Sequence, residues 1–172
     1  MDHRLLFTAD ARFAAADPAN PRRLSGYALV WGVPSSDRGG YQVRLAKGSA
    51  KFAKPTLGLY RHDRNLVLAN TANDTLRLSV DDVGVKFEMD VAKTTDGDNA
   101  LSLVRDKYVQ GMSFAMANAP SGKTTREGGK EVFDATDFIV DEISVLVDPA
   151  FVTSSVNAFA ASAVDRTRQH LQ

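Results

Sequence analysis

The sequence has no cysteine, one tryptophan and three histidines, and its charges cancel, with 21 lysines and arginines against 21 aspartates and glutamates. The missing cysteine excludes a disulfide scaffold and a thiol nucleophile, and fits a reducing compartment without requiring one. Balanced charge leaves no global field to hold nucleic acid or an anionic membrane, so neither is an expected partner. No apolar run approaches the ~20 residues that cross a bilayer. After Met1 only Leu5-Leu6-Phe7 are strongly apolar before charge returns, so the expectation is neither signal peptide nor membrane anchor. His3, His62 and His170 lie far apart and belong to no His-x-x-x-His or His-Glu-x-x-His set, which argues against metal-assisted hydrolysis. A phosphate-binding glycine loop, an internal repeat and a low-complexity block are also missing.

What is there suits one soluble globular domain. In 172 residues, 44% hydrophobic and 24% charged, a core can form without disulfides or metals. Residues 4–9 read as a short first strand, residues 11–23 as loop, and residues 24–32 as a strand rich in β-formers. Residues 41–45 are expected to pair with the latter. Residues 47–52 read as a single helical turn capped by Ser49, and residues 56–63 as a strand that carries His62 and Asp63 to its end. Residues 75–80 and 85–91, joined by Asp81-Asp82-Val83-Gly84, alternate as a hairpin should. Leu76, Leu78 and Val80 on one arm, with Val85, Phe87, Met89 and Val91 on the other, are predicted to face the core. Leu101, Val104 and Tyr108 then recur at helical spacing, with Asp96 or Asp98 as the cap. Residues 121–130 read as a polar, glycine-containing loop over the site.

Residues 108–117 form a short apolar run with one serine in its middle. As a strand it puts Met112, Phe114 and Met116 on one face and Gly111, Ser113, Ala115 and Ala117 on the other. A face of glycine, alanine and hydroxyl admits close approach by a backbone or a substrate, which makes Ser113 a candidate nucleophile. Taken alone, the stretch describes a buried structural serine sooner than a nucleophile. Residues 137–147 are apolar on both faces, as in a central strand, yet carry Asp141 and Glu142. Strict alternation groups Asp141 with Ile139 and Ile143, and Glu142 with Val140 and Ser144. At least one acid is then interior and needs a partner, for which a histidine is suited.

One serine on a small-residue face, one histidine at a strand end and one acid in a buried strand are the parts of a serine hydrolase. The stretch Gly111-Met112-Ser113-Phe114-Ala115 lacks the second glycine of a nucleophile elbow, which excludes an α/β-hydrolase. The order Ser25-Gly26-Tyr27-Ala28, Lys47-Gly48-Ser49-Ala50-Lys51-Phe52, Tyr60-Arg61-His62-Asp63, Asp81-Asp82-Val83-Gly84-Val85, Gly111-Met112-Ser113-Phe114, Asp141-Glu142-Ile143-Ser144-Val145 and Asp148-Pro149-Ala150 resembles the HK97-like prohead proteases of tailed phages, from about Leu24 to Val156.

The resemblance implies an α+β fold related to the herpesvirus assembly proteases. That fold is a single domain with a mainly antiparallel, barrel-like sheet and a few surrounding helices, spanning residues 1–156, with residues 157–172 a C-terminal tail. It implies a serine endopeptidase that cuts capsid protein and its scaffold segment during maturation, inside the assembling prohead in the bacterial cytoplasm. His62 would be the general base, Ser113 the nucleophile and Glu142 the third member, with Asp141 as the fallback. No cofactor or metal is implied, and related viral proteases suggest a homodimer or higher oligomer. Arg44 departs from relatives that carry an acid there, and residues 66–70 lack a glycine often found after the histidine. The competing readings are a non-catalytic capsid-assembly or scaffold-binding module of the same fold, and a small esterase.

Overall fold

A computed structural model describes residues 5–9, 13–14, 20–35 and 39–147. In chain order the strands are β1 (Leu5–Ala9), β2 (Phe13–Ala14), β3 (Arg23–Val30), β4 (Tyr41–Leu45), β5 (Ala50–Tyr60), β6 (Asp63–Asn70), β7 (Leu76–Val80) and β8 (Gly84–Asp90). The helix α1 (Thr95–Arg105) leads into β9 (Val109–Met116), β10 (Ser121–Glu127) and β11 (Lys130–Val147). At 18 residues, β11 is the spine of a seven-stranded sheet. Its first half pairs with β10 and, in parallel, with β4; its second half lies between β9, antiparallel, and β5, parallel. The strands β1 and β6 close the order β1-β9-β11-β5-β6 at its two sides.

A second sheet of four strands, β2-β3-β8-β7, packs on one face of the first. The core lies between them, with Leu24, Phe87 and Met89 meeting Met112, Phe114 and Ile143, all essentially inaccessible to water. The Phe114 and Phe138 rings stack there with centroids 6.0 Å apart. The fold is therefore one mainly antiparallel, strand-dominated domain, with open sheets where a barrel was expected and one α-helix among the described residues.

Several local expectations held for the predicted physical reason. The hairpin β7–β8 has Leu76 opposite Met89 and Leu78 opposite Phe87. Asp81 closes its turn by accepting from the Val83 and Gly84 amides at 2.8 and 3.0 Å. The helix carries Leu101 and Val104 at the expected spacing but ends at Arg105, so Tyr108 lies outside it and is exposed; its cap is Thr94, which accepts from the Gly97 amide at 3.1 Å, while Asp96 and Asp98 sit in the first turn beside the positive end of the dipole.

Others were overturned by pairing. Residues 47–52 are not a helical turn: Gly48 turns the chain at φ +72°, Ser49 donates back to the Ala46 carbonyl at 2.6 Å, and Ala50 to Phe52 join β11. The segment 41–45 is a strand as expected, but its ladder partner is β11, and the chain just past β3 reaches it through the Gly32 amide, which donates to the Leu45 carbonyl at 2.9 Å. Val80 is half exposed at the end of its strand instead of facing the core. The polar stretch at 121–130 is a hairpin arm: β10 meets β11 across Gly128-Gly129, both at positive φ, as a two-residue primed turn demands. Every residue of β10 is exposed, so no hydrophobic alternation marked it. The Asp148-Pro149-Ala150 motif and the C-terminal tail lie outside the described residues.

Candidate active site

The site is assembled on the face of the large sheet that points away from the small one. Ser113 on β9 pairs directly with Ser144 on β11, and Ala115 with Glu142, so these four side chains share that face. On the core side the corresponding pairs are Ile143 with Phe114 and Val145 with Met112. The bare face read from the sequence is real, and what it approaches is the polar stripe Glu142–Ser144 of the neighbouring strand.

His62 arrives from the next strand pair. Tyr60 pairs with Asp63, so the turn between β5 and β6 consists of Arg61 and His62 alone, at φ 59° and 60°. The strand expected over residues 56–63 ends at Tyr60, and His62 is part of the reversal itself. Two consecutive left-handed residues suit Asn-Gly or Gly-Gly, and the Gly128-Gly129 turn of this same chain obeys that preference. A side chain at such a φ costs roughly 1–2 kcal/mol per residue, a cost found where surrounding structure holds the position. The holding contacts come from β11: the Arg61 amide donates to the Val145 carbonyl at 3.0 Å and the His62 amide to Ser144 Oγ at 3.1 Å.

So held, the imidazole Nδ1 makes a short hydrogen bond to Glu142 Oε1. The other carboxylate oxygen, Oε2, accepts from Ser144 Oγ at 2.5 Å. Glu142 is 1% exposed, and both of its oxygens are satisfied, which is what makes a carboxylate tolerable at that depth. His62 Nε2 is buried and has no hydrogen-bond partner among the described residues. A buried nitrogen left without a partner is uncommon.

The candidate residues therefore divide. His62 and Glu142 are bonded, and Ser113 lies on the same face, one cross-strand position from Ser144. The hydrogen bond from Ser113 to Nε2 is not made. Ser113 is also fully buried rather than exposed at a cleft floor. Asp141 faces elsewhere and pairs with Arg64 at 2.6 Å, with 18% of its side chain exposed. Arg44, noted as a departure, is bound to Asp134 and Glu127 at 2.5 and 2.8 Å, away from His62. Sequence reasoning missed Ser144. The signal for it was the two-residue spacing from Glu142, which puts acid and hydroxyl on one face of a strand.

A family model described as caudovirus prohead serine protease matches residues 10–170. Among solved structures, that of the bacteriophage T4 capsid assembly protease is similar, with a TM-score of 0.53 over 84% of this chain and 98% of that one, at 11% identity. At that identity the likeness is one of fold. No curated protein matches the chain.

Proposed function

The chain belongs to the caudovirus prohead serine protease family, and on that premise we propose that it is a capsid-maturation endopeptidase using Ser113, His62 and Glu142. Ser113 Oγ attacks the scissile carbonyl carbon while its proton passes to His62 Nε2. The C–N bond then breaks as that proton moves to the leaving amine, and water, deprotonated by the same nitrogen, releases the acyl group from the serine. Glu142 orients the ring with Nδ1–H toward itself and balances the imidazolium charge. The observation that carries this reading is the bond from His62 to the buried Glu142, with the buried Nε2 left unpaired on the Ser113 face. The substrate proposed is the major capsid protein with its scaffold segment, cut inside the assembling prohead in the host cytoplasm.

Burial of Ser113 means that a peptide reaches it only when this face opens. That burial, with the Ser113–Nε2 bond unmade, is also what favours the second reading, a non-catalytic capsid-assembly or scaffold-binding module. Co-expression with the capsid protein separates the two. Proteolysis predicts that capsid mass falls by a discrete segment with the native chain and stays full length with Ser113→Ala. Unimpaired trimming by Ser113→Ala removes Ser113 from the reaction, and no trimming by the native chain favours the module.

A further inference from the structure

We infer that Ser144 is a positioning residue that sets both the Glu142 carboxylate and the turn carrying His62, an inference that rests on the proteolytic reading above. A hydroxyl has one proton to donate and two lone pairs to accept with. The His62 amide can only donate, so it takes a lone pair of Ser144 Oγ at 3.1 Å, and the hydroxyl proton of Ser144 is given to Glu142 Oε2 at 2.5 Å. Ser144 is fully buried, so no water competes for either bond. One hydroxyl thus touches the acid at one end and the backbone of the base at the other.

The consequence is geometric. With Oε2 held by Ser144, Oε1 alone is presented to the imidazole, and the plane of the carboxylate is fixed by two bonds rather than one. That fixes Nδ1 as the donor and leaves Nε2 as the nitrogen that accepts a proton. The amide bond acts on the same ring from the other side. Arg61 and His62 both sit in the left-handed region, a conformation that a non-glycine pair keeps only when tied down. The ties are the Val145 carbonyl and the Ser144 hydroxyl. Glu142, Ser144 and Val145 all belong to β11, so one strand positions the ring, the carboxylate and the turn together. Ser144 touches no reacting atom in this arrangement; it acts through His62 and Glu142. Its place directly opposite Ser113 also sets how near a side chain can stand to the nucleophile, and a serine is small enough not to intrude.

The test uses the full chain labelled with ¹⁵N-histidine, as the native protein, Ser144→Ala and Ser144→Thr. In the native protein the His62 ring is expected to carry its proton on Nδ1, and the His62 amide to exchange slowly with solvent. Ser144→Ala is expected to lose the amide protection and the single tautomer, and to lower kcat for a capsid-derived peptide by on the order of 100-fold with KM little changed, the size associated with a small misplacement of a catalytic group. Ser144→Thr, which keeps the hydroxyl, is expected to recover most of both. A His62 tautomer and amide protection unchanged in Ser144→Ala would overturn the inference. Should Ser144→Ala not fold, fast exchange of the His62 amide in the native protein overturns it equally. If no peptide is cut by any form while the His62 signals still respond to Ser144→Ala, the proteolytic reading fails and the positioning role stands.

Discussion

Val140 and Glu142 stand two residues apart on β11 and face opposite sides of the sheet. Val140 is in the core between the sheets with Ile143, whereas Glu142 is on the outer face bonded to His62. In an unbroken strand they would share a face. The ladder shifts between them on both flanks: Val140 pairs with Met116 and Glu142 with the very next residue of β9, Ala115, so Asp141 is the extra residue of a bulge. A bulge re-aims the side chains beyond it, and here it sends the acid to the histidine and the aliphatic residues to the core.

The two adjacent acids are therefore expected to respond differently to loss of charge. Glu142→Gln removes the group that fixes the His62 tautomer and should lower kcat on the order of 10³- to 10⁴-fold, as loss of the orienting acid does in serine proteases generally. Asp141→Asn breaks an ion pair with Arg64, whose side chain is 44% exposed, and such pairs contribute about 0–1 kcal/mol, so activity should stay within about threefold. Peptide-cleavage kinetics of both variants decide it; a larger loss in Asp141→Asn would return the orienting role to that residue.

The turn at Arg61-His62 predicts a stabilising change. Arg61 is exposed and left-handed at φ 59°, and asparagine tolerates that region better than arginine. Arg61→Asn should raise stability by about 0.5–1 kcal/mol, read as a melting temperature higher by roughly 1–4 °C. A lower melting temperature would show that the arginine side chain contributes more than its backbone costs.

Acid should weaken the fold through three arginine-paired carboxylates, Asp134, Glu127 and Asp90. Hydrogen bonds from Arg44 hold Asp134 and Glu127 below the usual carboxylate range, and those from Arg23, with a smaller share from Arg77, do the same for Asp90, each against a smaller opposing effect of burial. A carboxyl group that titrates lower in the folded than in the unfolded chain contributes stability that is complete above its unfolded value, about 4, and is lost as pH falls through the folded one. Melting temperature should hold between pH 7 and 5, then fall steadily below about pH 4, with a shallower fall in Asp134→Asn. An unchanged melting temperature down to pH 2.5 would contradict the assignment.

Gly84 on β8 pairs with Val30 on β3, between the two central strands of the small sheet. A Cβ there would sit 2.0 Å from the Leu29 carbonyl oxygen, a backbone atom that cannot step aside as a side chain can. Gly84→Ala should destabilise by about 2–3 kcal/mol by prising β8 from β3. Denaturant unfolding would show it as a lower midpoint at unchanged slope, and an unaltered midpoint would mean that the strands part without cost.

The periodic features were legible in the sequence because a local pattern caused them. The β7–β8 hairpin follows from alternation, α1 from helical spacing, and the two faces of β9 from Met112 and Phe114 against Ser113 and Ala115. The resemblance of motifs singled out His62 and Glu142, whose side chains meet, and it identified the family. Where no local pattern existed the reading failed: β10 is polar on both faces, the start of β5 is a strand because β11 pairs with it, and β4, expected as a strand, takes β11 as its parallel neighbour.

The deciding features of the site are non-local for the same reason. Residue types determined that a serine, a histidine and an acid were on offer, and that one acid of two would be buried and in need of a partner. Which acid met the histidine depended on a single unpaired residue in a ladder, and strict alternation along one strand cannot register that. That His62 sits in a two-residue turn, and that Ser144 ties this turn to the carboxylate, depends on contacts spanning about 80 residues of chain. The opening of a ladder, the sharpness of a turn and the direction of one hydroxyl proton are set by neighbouring strands, so they exist only once the sheet has formed.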